Sequence, residues 1–95
     1  MTYVYLMKNN KALSLEIIKR HVEHLRELDA EGALVLCGPF SDYPGGMVVV
    51  RAESLDEAKA IDEADPFISS GCKTYELRCL DVANAENNYL MPLLQ

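Results

Sequence analysis

A chain of 95 residues allows one domain and little else. With 49% hydrophobic and 25% charged residues it has the composition of an ordinary globular protein, which excludes intrinsic disorder. Nine basic against fifteen acidic side chains give a net charge of −6, and no basic stretch supplies the phosphate-neutralising footprint of a nucleic-acid binder.

The first element is a strand over residues 2–8, rich in Tyr, Val and Leu and stopped by Asn9-Asn10. A helix over residues 15–31 follows, with Ser14 as its N-cap and Gly32 as the residue just past its end. Two apolar runs of strand length, residues 33–37 and 47–51, flank Gly-Pro-Phe-Ser-Asp-Tyr-Pro-Gly-Gly, which continues neither, so they pair as a long-looped hairpin. Ser54-Leu55-Asp56-Glu57 is a capping box, and Leu55, Ala58, Ile61 and Ala64 carry a narrow apolar stripe until Asp65-Pro66 ends the second helix. Residues 73–82 form the last strand. Residues 83–95 follow as a C-terminal tail to which the pattern assigns no element.

The order βαββαβ predicts an α+β, ferredoxin-like fold: a four-stranded antiparallel sheet with both helices on one face. Strands such as Ala33-Leu34-Val35-Leu36-Cys37 and Met47-Val48-Val49-Val50 are apolar on both sides, so both sheet faces need cover. No third helix of useful length is present to supply it. A second copy packed sheet to sheet is expected, with the tail lying across that partner; the competing arrangement folds the tail over its own sheet.

Cys37, Cys72 and Cys79 are odd in number and contain no C-x-x-C pair, which argues against a disulfide framework or a structural zinc site. No run approaches the roughly 20 apolar residues that span a bilayer. These features predict a cytoplasmic protein with no membrane partner.

His21 stands out because it interrupts a hydrophobic stripe. At about 100° per residue it is flanked by Ile18, Val22, Leu25 and Leu28, while Arg20, Glu23 and Glu27 project oppositely. Two explanations stand: a structural partner satisfies the ring nitrogens, or the imidazole works as an acid or base in a pocket roofed by the helix. His21 and His24 are three apart with no H-E-x-x-H, so no metal site is expected. Ser41 is a loop residue and Cys37 lies in an apolar strand, so neither reads as a triad nucleophile.

His21-x-x-His24-Leu25, Gly38-Pro39-Phe40, Gly45-Gly46-Met47 and Asp65-Pro66-Phe67, taken in order, resemble the YciI-like (YCII-related) family of the dimeric α+β barrel superfamily. The likeness runs from the first strand to about Val82. It implies a ferredoxin-like protomer that dimerises through its sheets, a pocket in each protomer, and a catalytic histidine and aspartate matching His21 and Asp65. One relative removes chloride from a chlorinated hydroxyhydroquinone, and the superfamily includes muconolactone isomerase. The tail past Val82 has no counterpart in the resemblance.

An imidazole exchanges protons near neutral pH, and a carboxylate on its far nitrogen fixes its tautomer. On this reading His21 is a base and Asp65 its orienter, in a cofactor-independent homodimeric enzyme that isomerises, or eliminates HX from, a small cyclic or aromatic-derived metabolite. Tyr5, Phe40, Met47 and Phe67 are the candidate walls of the substrate pocket, and Ser41 belongs to a loop able to close over it. The alternatives are a non-catalytic dimeric small-molecule-binding module and a structural subunit, with Asp65 then only a helix terminator. Glu53, Asp56, Glu57, Asp62 and Glu63 read as one solvated acidic face.

Overall fold

In a computed structural model, which describes residues 1–93, the expected strand–helix–strand–strand–helix–strand order is present. β1 is Thr2–Asn9, α1 Leu15–Ala30, β2 Leu34–Pro39, β3 Gly46–Arg51, α2 Leu55–Ala64, α3 Pro66–Ser69 and β4 Lys73–Leu80. The strands form one antiparallel sheet in the order β2-β3-β1-β4, and the fold is α+β and ferredoxin-like. The additional helix α3 is a single turn, too short to have a periodicity in the sequence.

Alternation along the central strand divides the sheet into two faces. Tyr3, Tyr5 and Met7 of β1 are buried on the helical side beside Val48 and Val50 of β3, where Leu28, Ala58 and Phe67 pack onto them. Burial of each such side chain contributes roughly 1.5–3 kcal/mol. On the other face Val4 pairs with Val49 and Leu6 with Met47, and Leu36 extends the row across β2. Leu36 remains half exposed there, and Glu76 and Arg78 give the β4 side of that face a charged rim.

Several boundaries differ from the sequence expectations for local reasons. β2 runs from Leu34 to Pro39 rather than over residues 33–37, because Gly38 and Pro39 still pair with Met47 and Gly46. Pro39 is tolerated because β2 is an edge strand, where a missing N–H costs no ladder bond. A register shift between Leu34 and Leu36 bulges the strand at Val35. β4 stops at Leu80 rather than residue 82.

Both helices are rotated from their expected faces. Ile17, His21, Leu25 and Leu28 turn inward from α1, whereas Ile18 and Val22 remain more than a third exposed. In α2, Ala58 and Asp62 are buried while Leu55 is exposed, so Asp62 does not belong to the solvated acidic face. Ser54 caps α2 by accepting from the Glu57 N–H, and Glu57 reaches back to the Glu53 N–H.

Past Val82 the tail forms an irregular helical turn over Ala85–Leu93. Asn88, Tyr89 and Leu90 all have φ near +55°, a left-handed conformation costing about 1–2 kcal/mol per residue. Side-chain hydrogen bonds there run among Asn84, Asn87 and the Val82 carbonyl. Tyr89 and Met91 are exposed, and Leu94 and Gln95 of the expected 83–95 tail lie outside the described residues. Among the described residues no helix is long and apolar enough to cross a membrane.

Candidate active site

Three donors converge on Asp65. The residue ends α2 and starts α3, a junction that Pro66 enforces by taking the first position of the new helix, where no N–H is needed. Asp65 Oδ1 accepts from the Phe67 N–H at 2.9 Å and from His21 Nδ1 at 2.8 Å, and Oδ2 accepts from the Tyr5 hydroxyl at 2.9 Å. The residue is fully buried. Burial pushes its carboxyl up, but the hydrogen bonds from His21, Phe67 and Tyr5 outweigh that and hold it below the ordinary carboxylate range.

The ionised carboxylate settles the imidazole tautomer. A carboxylate only accepts, so His21 Nδ1 carries the shared proton and Nε2 keeps the lone pair. Phe67 fixes the ring plane: the two rings stack with centroids 3.7 Å apart and planes 7° from parallel. Among the described residues, the buried side-chain polar atoms without a partner are His24 Nε2 and both oxygens of Asp62. His21 Nε2 is not one of them and bonds to no protein group, so it remains open to solvent.

A cavity of about 460 Å³ lies between α1 and the β2–β3 side of the sheet. Small-molecule pockets occupy roughly 300–1,000 Å³. His21 forms part of its wall, beside Ile18, Val22 and Leu25 of α1, Met7 and Val48 of the sheet, and Phe67. The two glycine motifs shape the far wall. A Cβ on Gly46 would lie 2.6 Å from the Gly38 carbonyl oxygen and 2.9 Å from Pro39 Cα, and Gly45, at φ +101°, backs onto the Met7 carbonyl. Gly45-Gly46 therefore lets β3 start flush against both neighbouring strands.

The structure brings together some of the sequence candidates and separates others. Phe67 and Met47 border the cavity, although Met47 pairs with Leu6 and its side chain belongs to the opposite sheet face. Tyr5 lies behind Asp65, fully buried and off the cavity wall; burial, then the neighbouring Asp65 charge, raises its phenol above the ordinary value. Phe40 is 38% exposed and borders a second, shallower depression, and Ser41 is exposed beyond both.

Cys37 and Lys73 line the cavity without having been singled out for it. Burial, then Asp29 and Asp65, pushes the Cys37 thiol up, so it stays protonated and is no activated nucleophile. No three His, Cys, Asp or Glu side chains converge as metal ligands among the described residues. Asp62, one turn before Asp65, has its carboxyl raised to about 7 by burial, with Asp65 and Glu63 adding to it.

A profile of the YCII-related domain matches residues 1–80. The uncharacterised protein YjpA of Bacillus subtilis is 43% identical over 70 residues, covering 74% of this chain and 82% of its own. Protein YciI of Escherichia coli O6:H1 is 32% identical and covers 75% of this chain and 86% of its own. Among solved structures, the 5-chloro-2-hydroxyhydroquinone dehydrochlorinase TftG of Burkholderia phenoliruptrix AC1100, in complex with 2,5-dihydroxybenzoquinone, superposes with a TM-score of 0.67 at 21% identity. That match covers 93% of this chain and all of TftG. Muconolactone isomerase superposes with a TM-score of 0.73 at 12% identity, covering 90% of this chain and 93% of its own. At these identities the two structures share the fold, while the profile and the curated relatives show that the chain belongs to the YCII-related domain family.

Proposed function

We propose that the cavity is an acid–base active site in which His21 is the base and Asp65 its orienter. The observation that carries this reading is the 2.8 Å bond from His21 Nδ1 to a fully buried Asp65, at a residue that lines the cavity wall. The substrate is a small cyclic or aromatic-derived metabolite. Nε2 removes a proton next to a carbonyl or from a phenol, and Asp65 stabilises the imidazolium that results. For isomerisation the imidazolium returns the proton to a different carbon of the same molecule. For HX elimination the electron pair expels halide, and the proton passes from the imidazolium to water. Only protons and one electron pair move, so this chemistry calls for no cofactor.

The homodimer belongs to the same proposal. Val4, Leu6, Leu36, Met47 and Val49 form the apolar face away from the helices, and a second copy meeting it sheet to sheet buries that face. The tail from residue 83 to residue 93 packs on the partner, where its left-handed turn meets the second copy. Three free thiols suit a reducing cytoplasm.

A second reading is favoured by the burial of His21, which keeps only 8% of its surface. In it the chain is a non-catalytic binding module, and Nε2 accepts one hydrogen bond from an effector. Thermal-shift screening of cyclic ketones, lactones and halogenated phenols against the native protein and His21→Ala tests both. Ligands that stabilise the native protein alone and are converted on incubation support the enzyme; stabilisation without conversion supports the module.

A further inference from the structure

We propose that the ligand of this cavity carries a carboxylate, and that Lys73 binds that carboxylate. The inference deepens the acid–base reading and rests on it for the location of the site. Its basis is an electrostatic asymmetry. The chain has fifteen acidic and nine basic side chains, yet among the described residues no Asp or Glu lines the cavity or the depression that adjoins it. Lys73 lines both, and Lys11 borders the second.

Lys73 is also held in place. Its Nζ donates to Asn9 Oδ1 at 2.8 Å and lies 5.2 Å from the centre of the Phe67 ring. Asn9 is neutral and takes one of three ammonium hydrogens, so among the described residues the charge has no carboxylate partner. Lys8, Arg26 and Arg78 meet glutamates. An ammonium anchored by a hydrogen bond over an aromatic face beside an apolar cavity is a preorganised anion site, since little side-chain freedom is lost when the anion arrives.

Phe67 links the two groups: it stacks on His21 with centroids 3.7 Å apart and has Nζ 5.2 Å from its own ring centre, so the ammonium lies no more than about 9 Å from the imidazole centre. A neutral ring forgoes the charge-assisted bond to Lys73.

The test uses benzoate and benzamide, which share a shape and differ in charge, with affinities measured by titration calorimetry at low salt. The native protein is expected to bind benzoate roughly tenfold or more tightly than benzamide, with the preference shrinking as salt rises. Lys73→Met abolishes the preference and Lys73→Arg retains it. Equal binding of the two ligands by the native protein, a preference that survives in Lys73→Met, or no saturable benzoate binding would overturn the inference. Failure of the acid–base reading is seen separately: a benzoate preference in a protein that exchanges no substrate protons leaves Lys73 as an anion site and removes His21 as a base.

Discussion

Tyr5 and Asp65, sixty positions apart, are joined by a 2.9 Å hydrogen bond from the phenol to the carboxylate oxygen that His21 does not use. The phenol thus stands behind the dyad and supports the ionised state of Asp65 without touching the cavity. Tyr5→Phe removes one charge-assisted bond from a buried carboxylate and is expected to cost about 1.5–3 kcal/mol of unfolding free energy in urea titration. An unchanged stability would mean that the bond does not form in solution.

The tautomer of His21 follows from the same carboxylate. Nitrogen-15 NMR of the native protein at neutral pH is expected to show a protonated Nδ1 and a lone pair on Nε2 in the neutral ring. In Asp65→Asn the side chain no longer compels Nδ1 to donate, and the two tautomers mix. A native imidazole protonated on Nε2 alone would contradict the geometry described here.

Asp62 and Asp65 respond to pH in opposite senses. The Asp65 carboxyl lies below its ordinary 3.8, so its contribution to stability is present above that value and is lost as pH falls through the lower, folded value. The Asp62 carboxyl is raised from 3.8 to about 7, so its contribution is full below 3.8 and is lost as pH rises through 7. Asp62→Asn, which mimics the neutral acid, is expected to stabilise the protein by up to about 4 kcal/mol at pH 8 and by almost nothing at pH 4. Thermal melts across that range check it; a gain independent of pH would show that ionisation of Asp62 is not the cause.

The apolar sheet face makes its own prediction about assembly. Light scattering at micromolar concentration is expected to give twice the 10.6 kDa chain mass, and Leu6→Asp, which puts a charge in the middle of that face, to give the chain mass itself. A native monomer would remove the proposed cover of the face.

The fold was readable in the sequence because its elements are punctuated: Ser14, Gly32, Ser54 and Pro66 each end or start an element through backbone chemistry local to that position. Helix rotation was not, since Ile17 and Ile18 are equally apolar and only the packed sheet decides which one turns inward. Asp62 was hidden among exposed acids for the same reason. The proximity of His21 and Asp65 has no signature in spacing across forty-four positions, and was reachable only through the ordered motifs. Lys73 and Tyr5 owe their roles to tertiary neighbours: a lysine at the start of a strand and a tyrosine in the middle of one carry no mark of a cation beside Phe67 or a phenol behind Asp65.

The central claim is that His21 Nε2 takes a proton from a bound ring. It is tested most directly by deuterium incorporation from heavy water into cyclic diketones, unsaturated lactones and halogenated hydroquinones, followed by NMR with the native protein and with His21→Gln. The account predicts incorporation by the native protein into at least one of these classes, with a loss of roughly 10²–10⁴-fold in the variant. Exchange at the buffer rate for every compound, or equal exchange by His21→Gln, would contradict it.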